Sequence, residues 1–144
     1  MILKSFETIK IDTSKQKKFL FYGNNNALIN ETIQKFFIEK LNINIYRYDE
    51  SEVLNNKDNF FNQILNSSFF ENEKIILISR ATDKFHEVFE EILEKKIIDV
   101  IFIVISNQLE KKSKLRQLFE KNNKTICIAF YPDTEINLTR IATE

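Results

Sequence analysis

The chain has 144 residues, 43% of them hydrophobic, and its 21 basic residues match its 21 acidic ones, which suits one compact domain and excludes a generally basic, polyanion-binding protein. A single cysteine excludes an internal disulfide framework and a multi-cysteine zinc site. No apolar run approaches the roughly 18 residues that a membrane span requires, so no membrane partner is expected.

The N terminus, Met1-Ile2-Leu3-Lys4-Ser5-Phe6, turns polar too early for a signal peptide, which predicts a cytoplasmic protein. After the charged run Lys15-Gln16-Lys17-Lys18 comes Phe19-Leu20-Phe21-Tyr22, a β-type run ending at the one glycine of the chain, Gly23, and the polar loop Asn24-Asn25-Asn26. Ile29, Ile33, Phe36, Phe37 and Leu41 then repeat at helical spacing. Ile43, Ile45 and Tyr46 mark a second strand, and Phe60, Phe61, Ile64, Leu65 and Ser68 define the buried face of a second helix. Ile75-Ile76-Leu77-Ile78 is apolar throughout, the signature of a parallel strand covered on both faces. Phe85, Val88, Phe89, Ile92 and Leu93 give a third helix, residues 97–105 a central strand, Leu115, Leu118 and Phe119 a fourth helix, and residues 125–130 a fifth strand. This alternation predicts an α/β fold: a single three-layer domain with a five-stranded, mainly parallel sheet and helices on both faces. The domain is expected over residues 1–132, with residues 133–144 starting a following helix or linker.

Function in such a fold sits at the carboxyl ends of the strands. The first strand runs into Gly23-Asn24-Asn25-Asn26-Ala27-Leu28-Ile29-Asn30, and a phosphate-binding loop would place glycine, lysine and serine or threonine where Leu28, Ile29 and Asn30 stand. Only Gly23 matches, so a turn that needs glycine is the preferred reading and no cofactor is expected. The third strand ends Ile78-Ser79-Arg80, with no acid to hold magnesium, and Asp83 reads as a charge favouring its own helix start. The fourth ends Ile105-Ser106-Asn107, whose polar groups simply end a strand. His86, the only histidine, reads as a surface residue; Cys127 reads as a small apolar residue in a buried strand; and Glu87, Glu90, Glu91 and Glu94 read as a solvated helix face. No catalytic residue and no metal site is expected.

Two features stand out. Phe69 and Phe70, after Ser68, close the second helix, and because helical neighbours point about 100° apart they do not both follow its buried face. One of them is a candidate exposed anchor for a partner's pocket; the pattern equally allows both rings to fold under the next strand. Lys111, Lys112, Lys114 and Arg116 gather around a helix start, a candidate contact for DNA or another anion, against the default of a solvated charged face.

Phe19-Leu20-Phe21-Tyr22-Gly23, the stretch from Ser68-Phe69-Phe70 through Ile75-Ile76-Leu77-Ile78, and Val104-Ile105-Ser106-Asn107 through Leu115 resemble, in order and spacing, the N-terminal domain of the delta subunit of the bacterial DNA polymerase III clamp loader. The likeness extends to Phe130-Tyr131-Pro132 and so covers nearly the whole chain. It implies a degenerate, AAA+-like nucleotidase fold that neither binds nor hydrolyses ATP. It further implies that Ser68, Phe69 and Phe70 enter a hydrophobic pocket of the sliding clamp, the beta subunit, and help to open the ring during DNA replication. Other clamp-loader subunits are implied as partners, and DNA indirectly. The holoenzyme is a nucleotidyltransferase, yet this chain has no polymerase chemistry of its own. A small P-loop-like nucleotidase or phosphotransferase and an adaptor with a different partner are the alternatives.

Overall fold

Short runs rich in Ile, Val and Phe favour strands, and the amphipathic stretches between them favour helices. The protein, seen in a computed structural model, is described over residues 2–4, 11–70, 73–95, 97 and 100–131, with backbone alone for Lys4 and residues 66–70. In chain order the elements are β1 (Ile2–Lys4), β2 (Lys18–Tyr22), α1 (Asn26–Ile33), β3 (Asn44–Asp49), α2 (Glu50–Asn55), α3 (Lys57–Phe70), β4 (Lys74–Ala81), α4 (His86–Glu94), β5 (Val100–Ser106), α5 (Lys114–Lys121) and β6 (Thr125–Ala129). A wider, π-helical stretch, Gln34–Glu39, continues α1, and a 3-10 turn, Asp83–Phe85, leads into α4. The helix expected to start beyond Pro132 falls on residues outside those described.

The strands form one six-stranded sheet in the order β1-β6-β2-β5-β4-β3, and each neighbouring pair runs parallel. The α/β expectation holds, with β5 central. The strand count does not: β1 adds a sixth, pairing with β6 at the edge. Three residues are too few to display a period of two, so this strand left no pattern in the sequence.

From β2 the chain crosses through α1 to the far edge at β3, then walks back through β4 and β5 and passes over β2 to β6. Parallel crossovers share one hand, so reversing direction puts α1 on one face of the sheet and the later helices on the other. The two cores reflect this. Ile29, Ile33 and Phe37 pack on Phe19, Phe21, Leu77, Ile103 and Ile128. Val53, Phe60, Ile64, Phe89, Leu115 and Phe119 pack on Leu20, Ile76, Phe102, Val104 and Cys127. Stacking of Phe89 against Phe119, with ring centroids 4.2 Å apart, joins α4 to α5. One expected core residue is misplaced: Leu65 stands 42% exposed, because the face of α3 that meets the sheet is set by Phe60, Phe61 and Ile64.

Candidate functional site

The loop after β2 shows why glycine stands at position 23. Gly23 has φ +124°, and a β-carbon there would collide with the backbone of Phe130. The Phe130 N–H donates to the Tyr22 carbonyl at 2.7 Å, the Gly23 N–H to the Asn107 carbonyl at 3.2 Å, and the Asn25 N–H to the Phe130 carbonyl at 3.2 Å. Asn25 Nδ2 reaches the Tyr131 carbonyl, and Asn25 Oδ1 accepts from the Leu28 N–H as the cap of α1. The amides of Gly23 and Asn25 are donors of the kind that cradle a phosphate; here they bond to the ends of β5 and β6. Ile29, at the position of a phosphate-binding lysine, is buried in the core, Leu28 is half-buried and Asn30 is exposed.

At the ends of β3 and β4 an irregularity between Ile78 and Ala81 puts Arg80 in the left-handed region, φ 56°, where its Nε pairs with Asp49. The buried Glu50 carboxylate accepts from the Thr82 N–H and hydroxyl. Asp83 stands in the first turn of its own helix start, as expected, and its side chain also serves another. It accepts from the Ser113 hydroxyl and, at 3.3 Å, from the Leu115 N–H, so it braces the start of α5 from across the sheet end. The Ser113 hydroxyl, and then the Leu115 and Lys114 amides, hold the Asp83 carboxyl below the usual carboxylate range. Ser113 in turn caps α5 by accepting from the Arg116 N–H at 3.2 Å. The open groove at this end, about 360 Å³, is lined by both signs of charge, Arg80 and Lys112 with Asp83 and Glu110. Among the described residues no group of three His, Cys, Asp or Glu is placed to hold a metal ion, and no helix is long and apolar enough to cross a membrane.

The start of β4 is joined both to α3 and to the segment before β2. Lys74, 1% exposed, donates from Nζ to the Ile64 carbonyl of α3 at 3.1 Å and lies 5.9 Å from the centre of the Tyr46 ring. Lys17 pairs with Glu73 at 3.1 Å. Ser68, Phe69 and Phe70 occupy the last turn of α3; their side chains lie outside the described residues. Lys74 was not singled out by sequence reasoning, since a lysine after a charged turn carries no mark of burial.

No protein-family model matches the chain, and no curated protein matches it. A solved structure does. The Bacillus subtilis DNA clamp loader delta protein (YqeN) aligns with a TM-score of 0.62 at 13% identity, covering 95% of this chain and 45% of that one. The fold is delta-like. The chain thus spans less than half the length of that protein, and at this identity the likeness concerns the fold and not individual side chains.

Within the delta-like fold the four cations predicted around the start of α5 do not form one surface. Lys111, Lys112 and Lys114 are exposed. Arg116 is only 16% exposed in its side chain: Nε pairs with Glu120 at 2.9 Å, Nη1 donates to the Leu109 carbonyl at 2.9 Å, and the guanidinium stacks 5.0 Å from the centre of the Tyr22 ring. Arg116 therefore joins α5 to β2 and to the loop after β5. The one local hint was Glu120, four residues on. His86 is half-buried and its Nδ1 lies 3.0 Å from Glu90, a tighter seat than a plain surface position. Cys127 is buried in β6, and burial pushes its thiol up to about 12, so it is a poor nucleophile in the folded chain.

Proposed function

We propose that this chain is a clamp-loader delta module that binds a sliding clamp through Ser68, Phe69 and Phe70 at the end of α3 and helps to open the ring without ATP chemistry of its own. The observation that carries the proposal is the delta-like fold over 95% of the chain. Two features support it. The loop where a nucleotide's phosphates would lie has its Gly23 and Asn25 amides bonded to neighbouring strand ends. Lys74, at the start of β4, bonds to the Ile64 carbonyl and so joins α3 to the strand that follows it. In this reading the other loader subunits are further partners, DNA enters indirectly, and the work is done in the cytoplasm.

Two phenylalanines desolvated in a pocket contribute about 1.5–3 kcal/mol each. That suffices for a measurable contact, with the rest of the interface needed for tight binding. The test is a titration with the sliding clamp of the same organism. Phe69→Ala/Phe70→Ala is expected to weaken binding by at least about a hundredfold while leaving the circular dichroism spectrum unchanged. Equal binding by the wild type and the folded double variant would sink the proposal.

A further inference from the structure

Away from the end of α3, the groove between the start of α4 and the outer face of α5 has a consistent chemistry. It encloses about 380 Å³ and is lined by His86, Lys114, Gln117, Leu118, Lys121 and Asn122. Lys114 and Lys121 stand seven residues apart on α5, two turns and about 10 Å along one side of the helix. Both are exposed, and neither pairs with a carboxylate among the described residues. The half-buried Leu118 lies between them on the groove floor. Nearby acids have other partners: Glu90 is held by His86, Asp83 by Ser113, and Glu120 by Arg116 on the opposite side of α5.

We infer that this groove docks an acidic peptide segment of a partner protein, with one apolar side chain on Leu118 and two carboxylates on Lys114 and Lys121. The spacing fits. An extended peptide advances about 3.3 Å per residue with alternate side chains on one face, so acids four positions apart and the apolar residue midway share a face over about 13 Å, within reach of the two flexible lysine side chains. Two ammonium groups flanking an apolar floor complement that pattern, and the charges would steer its approach. Single-stranded nucleic acid fits less well, because the lining offers one ring, His86, whereas strand-binding grooves stack successive bases on several. The inference does not depend on the proposed clamp contact, which lies on another helix.

The probe is a fluorescein-labelled ten-residue peptide with two aspartates four positions apart and a leucine midway between them, followed by anisotropy with the full 144-residue chain. Saturable binding is expected, weakened roughly tenfold when both aspartates become asparagine and by at least that much in Lys114→Glu/Lys121→Glu. Lys111→Glu/Lys112→Glu, with the same charge change outside the groove, should bind as the wild type does. The thermal midpoint of each variant establishes that it is folded. Absence of saturable binding at low millimolar peptide overturns the inference. So does an equal loss in both lysine pairs, which marks unspecific attraction, or tighter binding of a labelled ten-nucleotide single strand.

Discussion

Gly23 and Arg116 show how single residues acquire roles that their type alone does not disclose. Gly23 is required twice over, by its positive φ and by the approach of the Phe130 backbone. Gly23→Ala is therefore expected to destabilise the chain by about 3 kcal/mol, lowering the thermal midpoint by roughly 10 °C, because neither colliding group is a flexible side-chain end. A midpoint within a degree of the wild type would show that this loop does not pack on β6 as described. Scarcity of glycine in the sequence made this position legible. Arg116 was not legible: two of its three contacts, Tyr22 and the Leu109 carbonyl, come from elements that only the fold brings beside α5.

Among the elements, the long strands and apolar helix stripes were readable, since parallel strands covered on both faces appear as unbroken apolar runs. Ile75-Ile76-Leu77-Ile78 in β4 is one such run. What escaped were elements held by polar geometry. Helix α2 offers the core only the adjacent Val53 and Leu54, too few for a stripe; its start is set by a capping box in which Asp49 accepts from Ser51 and Glu52 reaches back to the Asp49 N–H. The Asp-x-x-Glu spacing was there to be found. Helix α5 depends on a clasp from another element, Asp83 to Ser113 and Leu115. Asp83→Ala should cost about 1 kcal/mol at pH 7, measured by urea unfolding. The folded carboxyl titrates below its unfolded value, so its contribution is present above the unfolded pKa and disappears as pH falls through the folded one. The gap between variant and wild type should thus narrow as pH falls below the usual aspartate range; a gap that stays constant on acidification would mean that the aspartate acts by packing and not by charge.

At the scale of the whole molecule, one parallel sheet carries two separate surfaces. Helix α3 is joined to β4 through Lys74 and Ile64, and the cationic groove follows from α5 packing on α4 through Phe119 and Phe89. In strand order β4 is separated from β6, whose end closes the loop after β2, by β5 and β2. Phe69 and Phe70 are singled out in the sequence because two adjacent rings break helical periodicity, whereas Lys74, which bonds to α3 at the Ile64 carbonyl, carries no such mark. The most direct measurement is photocrosslinking to the sliding clamp with p-benzoylphenylalanine placed at position 70 and, separately, at position 118. A clamp adduct from position 70 and none from position 118 is the predicted result. An adduct from position 118 alone, or none from position 70 in a chain that still binds the clamp, would contradict the account.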